Sequence, residues 1–377
     1  MGSITPYESA AGKRYRVRYR KPDHTQTDKR GFKTKREAEL FLASVEVSKA
    51  RGEFVSAADA KAAIGELGVT WLDHQTHLKP SSLRPVQIAW RLYVEPRWGQ
   101  IAVGSVRHSE VQAWVSEMSS SRGATTVLRA YGVLAGILDV AVRDRRLLSN
   151  PARGINLPRK VRKEHLYLSH EQVHALADAS GDHRTFVLLL AYTGLRWGEA
   201  IGLRARDLDM NRRRINVSVN AVEVGQEIEV GTPKSHKRRT VPFPRLLEAA
   251  LQEQSKGKSR DDLLFGDKDG LHMRRTRVSG GSRSWFKTAL INAGLEPMTL
   301  HDLRHTAASL SVSAGANVKA IQRMLGHASA AMTLDIYADL FDDDLNAVSD
   351  RLDEAYQRSV VGKKWADDDV DASHKDK

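Results

Sequence analysis

Four segments in the second half of this 377-residue chain hold arginine, histidine and tyrosine side chains that suit chemistry on an anion. In the first segment, Arg196 follows a Thr193-Gly194-Leu195 turn and precedes Glu199 by three residues. A carboxylate at this spacing can orient the guanidinium, whose free edge can then bind phosphate oxygens. Alone the pattern is not specific, because many helices pair arginine with glutamate for structural reasons.

The second segment has the sequence TLHDLRHT and begins at Thr299. Thr299 is predicted as the N-cap of a helix that presents His301 and Arg304, three residues apart, on one face. The unpaired N–H groups of a helix N-terminus also favour anions, so the segment predicts an oxyanion site.

A metal site is the alternative for this segment. His301 and His305 are four residues apart, as in the zinc motif H-E-x-x-H. Asp302 stands where that motif has its glutamate base, and Arg304 would place a cation beside the metal. We therefore predict no metal ligand here, and we assign His305 to structural support.

The third and fourth segments end at His327 and Tyr337. Taken singly, each residue has an ordinary explanation. A histidine near a helix end is stabilised by the helix dipole, and a lone tyrosine is usually a core or surface residue.

Together, the order Arg, His-x-x-Arg, His and Tyr resembles the tyrosine recombinase family, and more closely its phage integrases of the actinobacteriophage kind. The segment from Thr232 to Pro242 resembles the β-hairpin that carries the family's lysine, with Lys234 the better match and Lys237 the substitute. The resemblance spans about residues 69 to 357. The catalytic residues that it implies are Arg196, Lys234, His301, Arg304, His327 and Tyr337, with Glu199 as an orienting residue.

The resemblance implies site-specific DNA recombination through a 3′-phosphotyrosyl intermediate, which needs neither metal, ATP nor another cofactor. It further implies a homotetramer on core-type and arm-type attachment sites, aided by a host DNA-bending factor and an excision factor. The product would be phage or mobile-element DNA joined to a host chromosome. Three alternatives stay open: a type IB DNA relaxase, a conjugative-transposon integrase, and a DNA-binding protein that keeps the motifs as remnants.

The composition agrees with a polyanionic partner. Lys and Arg number 59 and Asp and Glu 46, which gives a net charge of +13 and a pI of about 9.8. No apolar run approaches the roughly 18 residues of a spanning helix, and no signal peptide is evident. The chain has no cysteine, which excludes disulfides and thiolate metal sites. We expect a protein of the bacterial cytoplasm that works on nucleoid DNA and not at a membrane.

The elements that would position these side chains follow from periodicity. Residues 14–20 alternate, so that Arg14, Arg16, Arg18 and Arg20 lie on one strand face and Tyr15, Val17 and Tyr19 on the other. Four arginines on one face repel each other unless an anion neutralises them, which predicts DNA binding. A helix with a Thr34–Glu37 capping box and an apolar stripe of Ala38, Phe41, Leu42 and Val45 completes this module.

The predicted fold is multidomain. It combines a small β-sheet plus one helix, an all-α core-binding domain, and a mainly α catalytic domain with a small sheet or hairpin. The predicted segments are 1–56 (arm-type DNA-binding domain), 57–68 (linker), 69–158 (helical core-binding domain), 159–168 (basic hinge), 169–360 (catalytic domain) and 361–377 (acidic tail, disordered). A capping box of Ser169 and Gln172 begins the catalytic helices, and strands are predicted at 215–219, 227–230 and 239–243.

Overall fold

The computed structural model describes residues 2–161, 165–232, 238–275, 284–337, 352–353 and 356–357. The chain divides into two compact units, Met1–Arg162 and Lys163–Lys377. The first unit contains both the predicted arm-type module and the predicted helical domain. The predicted acidic tail at 361–377 and part of the predicted hinge lie outside the described residues.

The first unit begins with an antiparallel sheet of β1 (Ser3–Ser9), β2 (Gly12–Arg20) and β3 (Gln26–Phe32), in that order. The predicted alternation in β2 is confirmed: Val17 is fully buried, whereas Arg18 and Arg20 are exposed.

Helix α1 (Lys35–Ala50) covers the apolar face of this sheet. Its predicted capping box is confirmed, since Glu37 N donates to Thr34 Oγ1 at 3.2 Å and the Glu37 carboxylate accepts from the Thr34 N–H. Phe41 of α1 meets Tyr19 of β2 edge to face, with ring centroids 5.8 Å apart. The arginine face of β2 therefore points away from the helix.

The helical part of the first unit packs around tryptophans, of which Trp98 and Trp114 meet edge to face at 5.8 Å. A short π-helical turn, Trp90–Val94, joins its second and third helices. The helices are α2 (Ile64–Asp73), α3 (Pro80–Ala89), α4 (Glu95–Trp98), α5 (His108–Ser121) and α6 (Ala124–Arg143).

This helical part begins at Ile64 and not at the predicted Val69. Ile64 is fully buried in the helical core, and its N–H donates to Ile101 O at 3.0 Å. The alanine-rich stretch predicted as a linker over 57–68 is thus partly helix and partly core, because small residues permit close packing as readily as they permit a flexible connection.

Helix α6 is long and apolar enough to cross a membrane, the one such helix among the described residues. The sequence analysis did not identify this helix as a possible membrane span, because Arg129 and Asp139 interrupt its apolar run. Leu134 and Leu138 of this helix are fully buried at the centre of the helical core, so packing within the unit accounts for its apolar face.

The second unit is mainly helical. Its helices are α7 (His170–Ala179), α8 (Arg184–Thr193), α9 (Trp197–Ala200), α10 (Glu248–Ser255), α11 (Trp285–Asn292), α12 (Asp302–Ser313), α13 (Val318–Leu325) and α14 (Ala330–Tyr337). The predicted capping box before α7 is confirmed, with Gln172 N donating to Ser169 Oγ at 3.3 Å. The buried helix α8 lies at the centre of the main core.

Two small sheets complete this unit. One is antiparallel in the order β4 (Leu208–Asp209), β5 (Arg214–Val217) and β8 (Arg239–Pro242); the other is the hairpin of β6 (Asn220–Val224) and β7 (Glu227–Gly231). The three predicted strands correspond to β5, β7 and β8, whereas β4 and β6 were not predicted because neither shows a clear alternation.

The second unit also includes residues that were predicted as hinge. Leu168 is buried in the main core, and its N–H donates to Thr306 Oγ1 at 3.3 Å.

Candidate active site

A left-handed turn positions the first arginine. Helix α8 ends at Gly194 with φ 63°, and Arg196 then serves as the N-cap of α9. A Cβ at Gly194 would lie 2.5 Å from Leu325 Cδ2, so only glycine fits this turn. The Gly194 carbonyl accepts a hydrogen bond from Arg304 Nη1 at 2.5 Å. The glycine turn therefore connects the first arginine segment with the second.

Glu199 is a buried carboxylate shared by two arginines. Arg196 approaches with its backbone N–H at 2.9 Å and with Nη1 at 3.0 Å. Arg239, the first residue of β8, donates from both Nη atoms to both carboxylate oxygens, at 2.8 and 2.7 Å. Burial alone would raise the pKa of Glu199, but the two guanidinium groups outweigh it and lower the pKa to about 2.

The C-terminal end of α13 accepts hydrogen bonds from three guanidinium groups. Gly326 ends this helix in the left-handed conformation, with φ 66°. The last carbonyls of a helix lack helical partners and carry negative partial charge. The bonds are Arg239 Nε to Met324 O at 3.2 Å, Arg304 Nη2 to Leu325 O at 2.6 Å and Arg196 Nη2 to Gly326 O at 3.4 Å. The Leu-Gly-His segment therefore positions arginines as well as His327.

Arg304 is a buried cation whose hydrogen-bond partners are neutral carbonyls. The residue is 3% exposed, and its guanidinium donates to the carbonyls of Gly194 and Leu325. In the part of the chain that the structure describes, no carboxylate lies within ion-pair distance of it. Burial, aided by the charge of Arg196, lowers the pKa of Arg304 to about 9, which leaves it cationic at neutral pH. The charge of Glu199 opposes this shift without forming an ion pair with Arg304. A buried charge without a directly paired counter-ion is costly, so this place favours an anion.

Burial lowers the pKa of each of the three histidines near these arginines. Burial, and then the arginine charges, lower the pKa of His327 to about 4. Burial, and then His165 and His301, lower that of His305 to about 3. The pKa of His301 is also lowered, by burial and by Arg304. Neutral imidazoles can accept protons, and a bound anion would raise these pKa values again.

The structure moves the start of the second catalytic helix. His301, and not the predicted Thr299, is the N-cap of α12. The Asp302 carboxylate accepts from the Thr299 N–H at 2.6 Å and from the Thr299 hydroxyl at 2.8 Å. Thr299 is thereby held in the turn before the helix.

Tyr337 lies at the end of α14, almost fully buried against α12 and α13. Its phenol oxygen is 2.9 Å from His305 Nδ1. Thr333, one turn earlier, is 2.9 Å from His327 Nδ1. Burial raises the pKa of Tyr337 to about 12, and the charge of Arg304 opposes this shift. The sequence prediction gave His305 no contact with the tyrosine; the structure places it as the direct hydrogen-bond partner.

His165, Asp302 and His305 form a cluster of possible metal ligands, whose ligand atoms lie within 4.8 Å of one another. The two imidazole rings stack, with centroids 3.8 Å apart and planes 27° apart. Their in-plane lone pairs therefore run nearly parallel. One Asp302 oxygen is bound by Thr299, and His305 Nδ1 is bound by Tyr337. A shared ion would require one ring to turn, so these residues do not form a ready metal site.

Two further sets of predicted residues remain, the lysines of the hairpin and the arginines of the N-terminal module. Lys234 and Lys237 lie outside the described residues. The arginine face of β2 belongs to the first unit, where Asp28 of β3 lies 3.6 Å from Arg16 Nε and 2.9 Å from Arg30 Nε. The sequence predicts that an external anion neutralises the arginines of β2. Asp28 supplies part of that negative charge from within the sheet.

Sequence reasoning missed Arg239 as a member of the site. It lies within the predicted hairpin segment, but forty residues separate it from Glu199. Helical spacing cannot signal a pair of this kind, and only the crossing of β8 past α9 and α13 brings it together.

The model of the phage integrase family matches residues 167–343. The integrase of Mycobacterium phage D29 is 29% identical over 252 residues. The match covers 65% of this chain and 66% of that protein, which is just under two thirds of its length.

The solved structures are similar in fold. The Tn1549 transposon integrase, solved with a circular intermediate DNA, has a TM-score of 0.66 at 22% identity, and the match covers 77% of this chain and 99% of that one. A lambda integrase tetramer on a Holliday junction has a TM-score of 0.57 at 14% identity, over 86% of this chain and 96% of its own. Residues 167–343 of this chain are therefore similar to the phage integrase family of tyrosine recombinases.

Proposed function

We propose that this protein is a site-specific DNA recombinase, an integrase that joins phage or mobile-element DNA to a host chromosome. The observation that carries the proposal is the buried Arg304, bound by two carbonyls and by no described carboxylate, beside the partly exposed Arg196. This arrangement favours a phosphodiester, and Tyr337 lies within one hydrogen bond of His305, the neighbour of Arg304.

The proposed reaction is a pair of transesterifications. The Tyr337 oxygen bonds to the phosphorus, the bond from phosphorus to the 5′ oxygen breaks, and the protein becomes linked to the 3′ phosphate. The 5′ hydroxyl of a partner strand then attacks the phosphotyrosine and releases Tyr337. Arg196, Arg304 and His327 stabilise the charge that grows on the non-bridging oxygens.

The protons need an acceptor and a donor. A phenol with a raised pKa is a poor nucleophile until its proton leaves. His301 is the acceptor that the family resemblance implies, and His305 is the base in hydrogen-bond contact with the phenol. Lys234 is the proposed donor to the leaving 5′ oxygen, with Lys237 as the substitute, and Glu199 orients Arg196.

The proposed assembly follows the relatives. Residues 69–158 and 169–360 would hold core-type DNA, and Arg14, Arg16, Arg18 and Arg20 of the module at 1–56 would bind arm-type sites. Strand exchange between two duplexes requires four active sites, so we propose a homotetramer, the state of the lambda integrase neighbour. Bridging distant sites bends DNA at a cost of about 1–6 kcal/mol, which favours a host bending factor, and an excision factor would set the direction. The place of action would be nucleoid DNA in the bacterial cytoplasm.

A covalent-adduct assay tests the proposal. Wild type and Tyr337→Phe are incubated in EDTA with DNA that flanks the gene, and the products are separated on a denaturing gel. We expect a shifted band with wild type alone, while both proteins bind the DNA equally. A band with the Phe variant would mean that Tyr337 is not the nucleophile. Binding of that DNA by wild type without any adduct would favour the DNA-binding remnant, and relaxation of any supercoiled plasmid would favour the relaxase.

A further inference from the structure

Arg239 makes more contacts in the site than the sequence gives reason to expect. Its guanidinium binds both oxygens of Glu199 through Nη1 and Nη2, and its Nε donates to Met324 O. The side chain is 12% exposed. A Cβ at Gly326 would lie 2.9 Å from Arg239 Nε, so the helix end must be glycine for this arginine to fit.

The division of Glu199 between two arginines has an electrostatic consequence. Arg239 takes both carboxylate oxygens in a fork geometry, whereas the Arg196 side chain takes only Oε1. Without Arg239, Glu199 would be free to form the same two-point pair with Arg196. That pair would neutralise Arg196 more fully and take up further donors of this guanidinium, whose side chain is 28% exposed.

Arg239 also adds one positive charge to the group. Arg196, Arg239 and Arg304 with the ionised Glu199 carry a net charge of +2, against +1 without Arg239. A phosphodiester carries one negative charge, and the transition state of its cleavage concentrates more charge on the non-bridging oxygens.

We infer that Arg239 is a positioning residue for DNA cleavage, which holds Glu199 away from a two-point pair with Arg196 and so keeps the Arg196 guanidinium directed at the scissile phosphate. The inference rests on the proposed function. Arg239 acts through Glu199 and the end of α13, and its own guanidinium does not need to touch DNA.

The test is single-turnover adduct formation on a nicked core site, in EDTA, by wild type, Arg239→Gln and Arg239→Lys. Each protein is given a normal scissile phosphate and one in which a methyl group replaces a non-bridging oxygen and so removes the negative charge. Arg184→Gln is the matched control, because Arg184 also binds a carboxylate, Asp178, but on the exposed surface. DNA affinity and the thermal unfolding midpoint are measured for every variant.

We expect Arg239→Gln to slow cleavage of the normal phosphate on the order of 10- to 100-fold, as loss of a residue that orients a ligand does elsewhere, with DNA affinity unchanged. The fold reduction in cleavage rate should be smaller on the neutral phosphate, because its non-bridging oxygens carry no negative charge for the arginines to stabilise. Arg239→Lys should restore part of the cleavage rate on the normal phosphate. Arg184→Gln should cleave like wild type.

Three results would overturn the inference. One is wild-type cleavage by Arg239→Gln, and another is an equal defect on both phosphates, which would indicate a merely structural role. If Arg239→Gln does not fold, Arg239→Lys decides alone, and an equal defect of that variant on both phosphates would count against the role. An absence of adduct with bound wild type would instead reject the proposed function, and the inference with it.

Discussion

The chain has two groups of arginines, and they differ in what surrounds them. On β2, Arg18 and Arg20 are exposed, and Asp28 is the described carboxylate that forms an ion pair with this face. Near α13, Arg304 is buried and the Arg239 side chain is only 12% exposed. Three successive carbonyls and the Glu199 carboxylate hold the guanidinium groups of this region in place. Exposed arginines can adapt to a phosphate backbone and are screened by salt. Fixed, desolvated arginines can stabilise a transition state, because they need no reorganisation when the charge develops.

The largest expected effect comes from the buried group. Arg304→Lys keeps a positive charge, but one ammonium cannot bind the carbonyls of Gly194 and Leu325 with the planar fork of a guanidinium. We expect the rate of Tyr337 adduct formation to fall on the order of 10³-fold, with little change in DNA affinity. Single-turnover cleavage and a binding titration measure the two quantities. An equal loss in both would mean that Arg304 merely contributes to binding.

The exposed group should affect binding and not chemistry. Replacement of Arg14, Arg16, Arg18 and Arg20 by glutamine should reduce the dependence of log K on log salt for arm-type DNA by about 0.9 for each arginine that contacts a phosphate. Cleavage of a minimal core site should stay at the wild-type rate.

A matched variant removes the same charge elsewhere in the module. It replaces Lys33, Lys35, Arg36 and Arg51, which are exposed and lie outside β2. Its salt dependence should remain nearer to that of wild type. If both quadruple variants change the salt dependence equally, net charge and not the β2 face determines binding.

The smallest expected effect is on the pH dependence of stability. The pKa of His305 is about 3 in the folded protein and about 6.5 in an unfolded chain. As the pH falls below 6.5, the unfolded state therefore takes up a proton that the folded state does not, and stability decreases. Glu199, with its pKa of about 2, acts in the same direction at lower pH.

His305→Asn tests this expectation, because an asparagine oxygen can replace Nδ1 as the acceptor for Tyr337 but does not titrate. The loss of unfolding free energy between pH 6 and pH 5 should be smaller in the variant, by up to about 1.4 kcal/mol per pH unit. Urea unfolding at the two pH values provides the measurement. An identical loss in both proteins would show that His305 is not held neutral.

The sequence predicted the segments of the site better than their connections. Gly194 and Arg196, Arg304 and Tyr337 were identified from local motifs, and the capping boxes at Thr34 and Ser169 are confirmed because each depends on residues three apart.

The contacts between the segments of the site arise from tertiary structure. Arg239 reaches Glu199 across forty residues, and His305 reaches Tyr337 across thirty-two. The burial of Ile64 in the helical core shortened the predicted linker. Local spacing cannot predict such contacts, because they depend on how helices and strands cross.

The central claim is that Tyr337 becomes bonded to DNA. The most direct measurement digests the trapped wild-type adduct with protease and nuclease and locates the nucleotide remnant by mass spectrometry. We expect a 3′-linked nucleotide on the peptide that contains Tyr337, formed in EDTA and lost in Tyr337→Phe. A remnant on another residue, such as Tyr356, would contradict it.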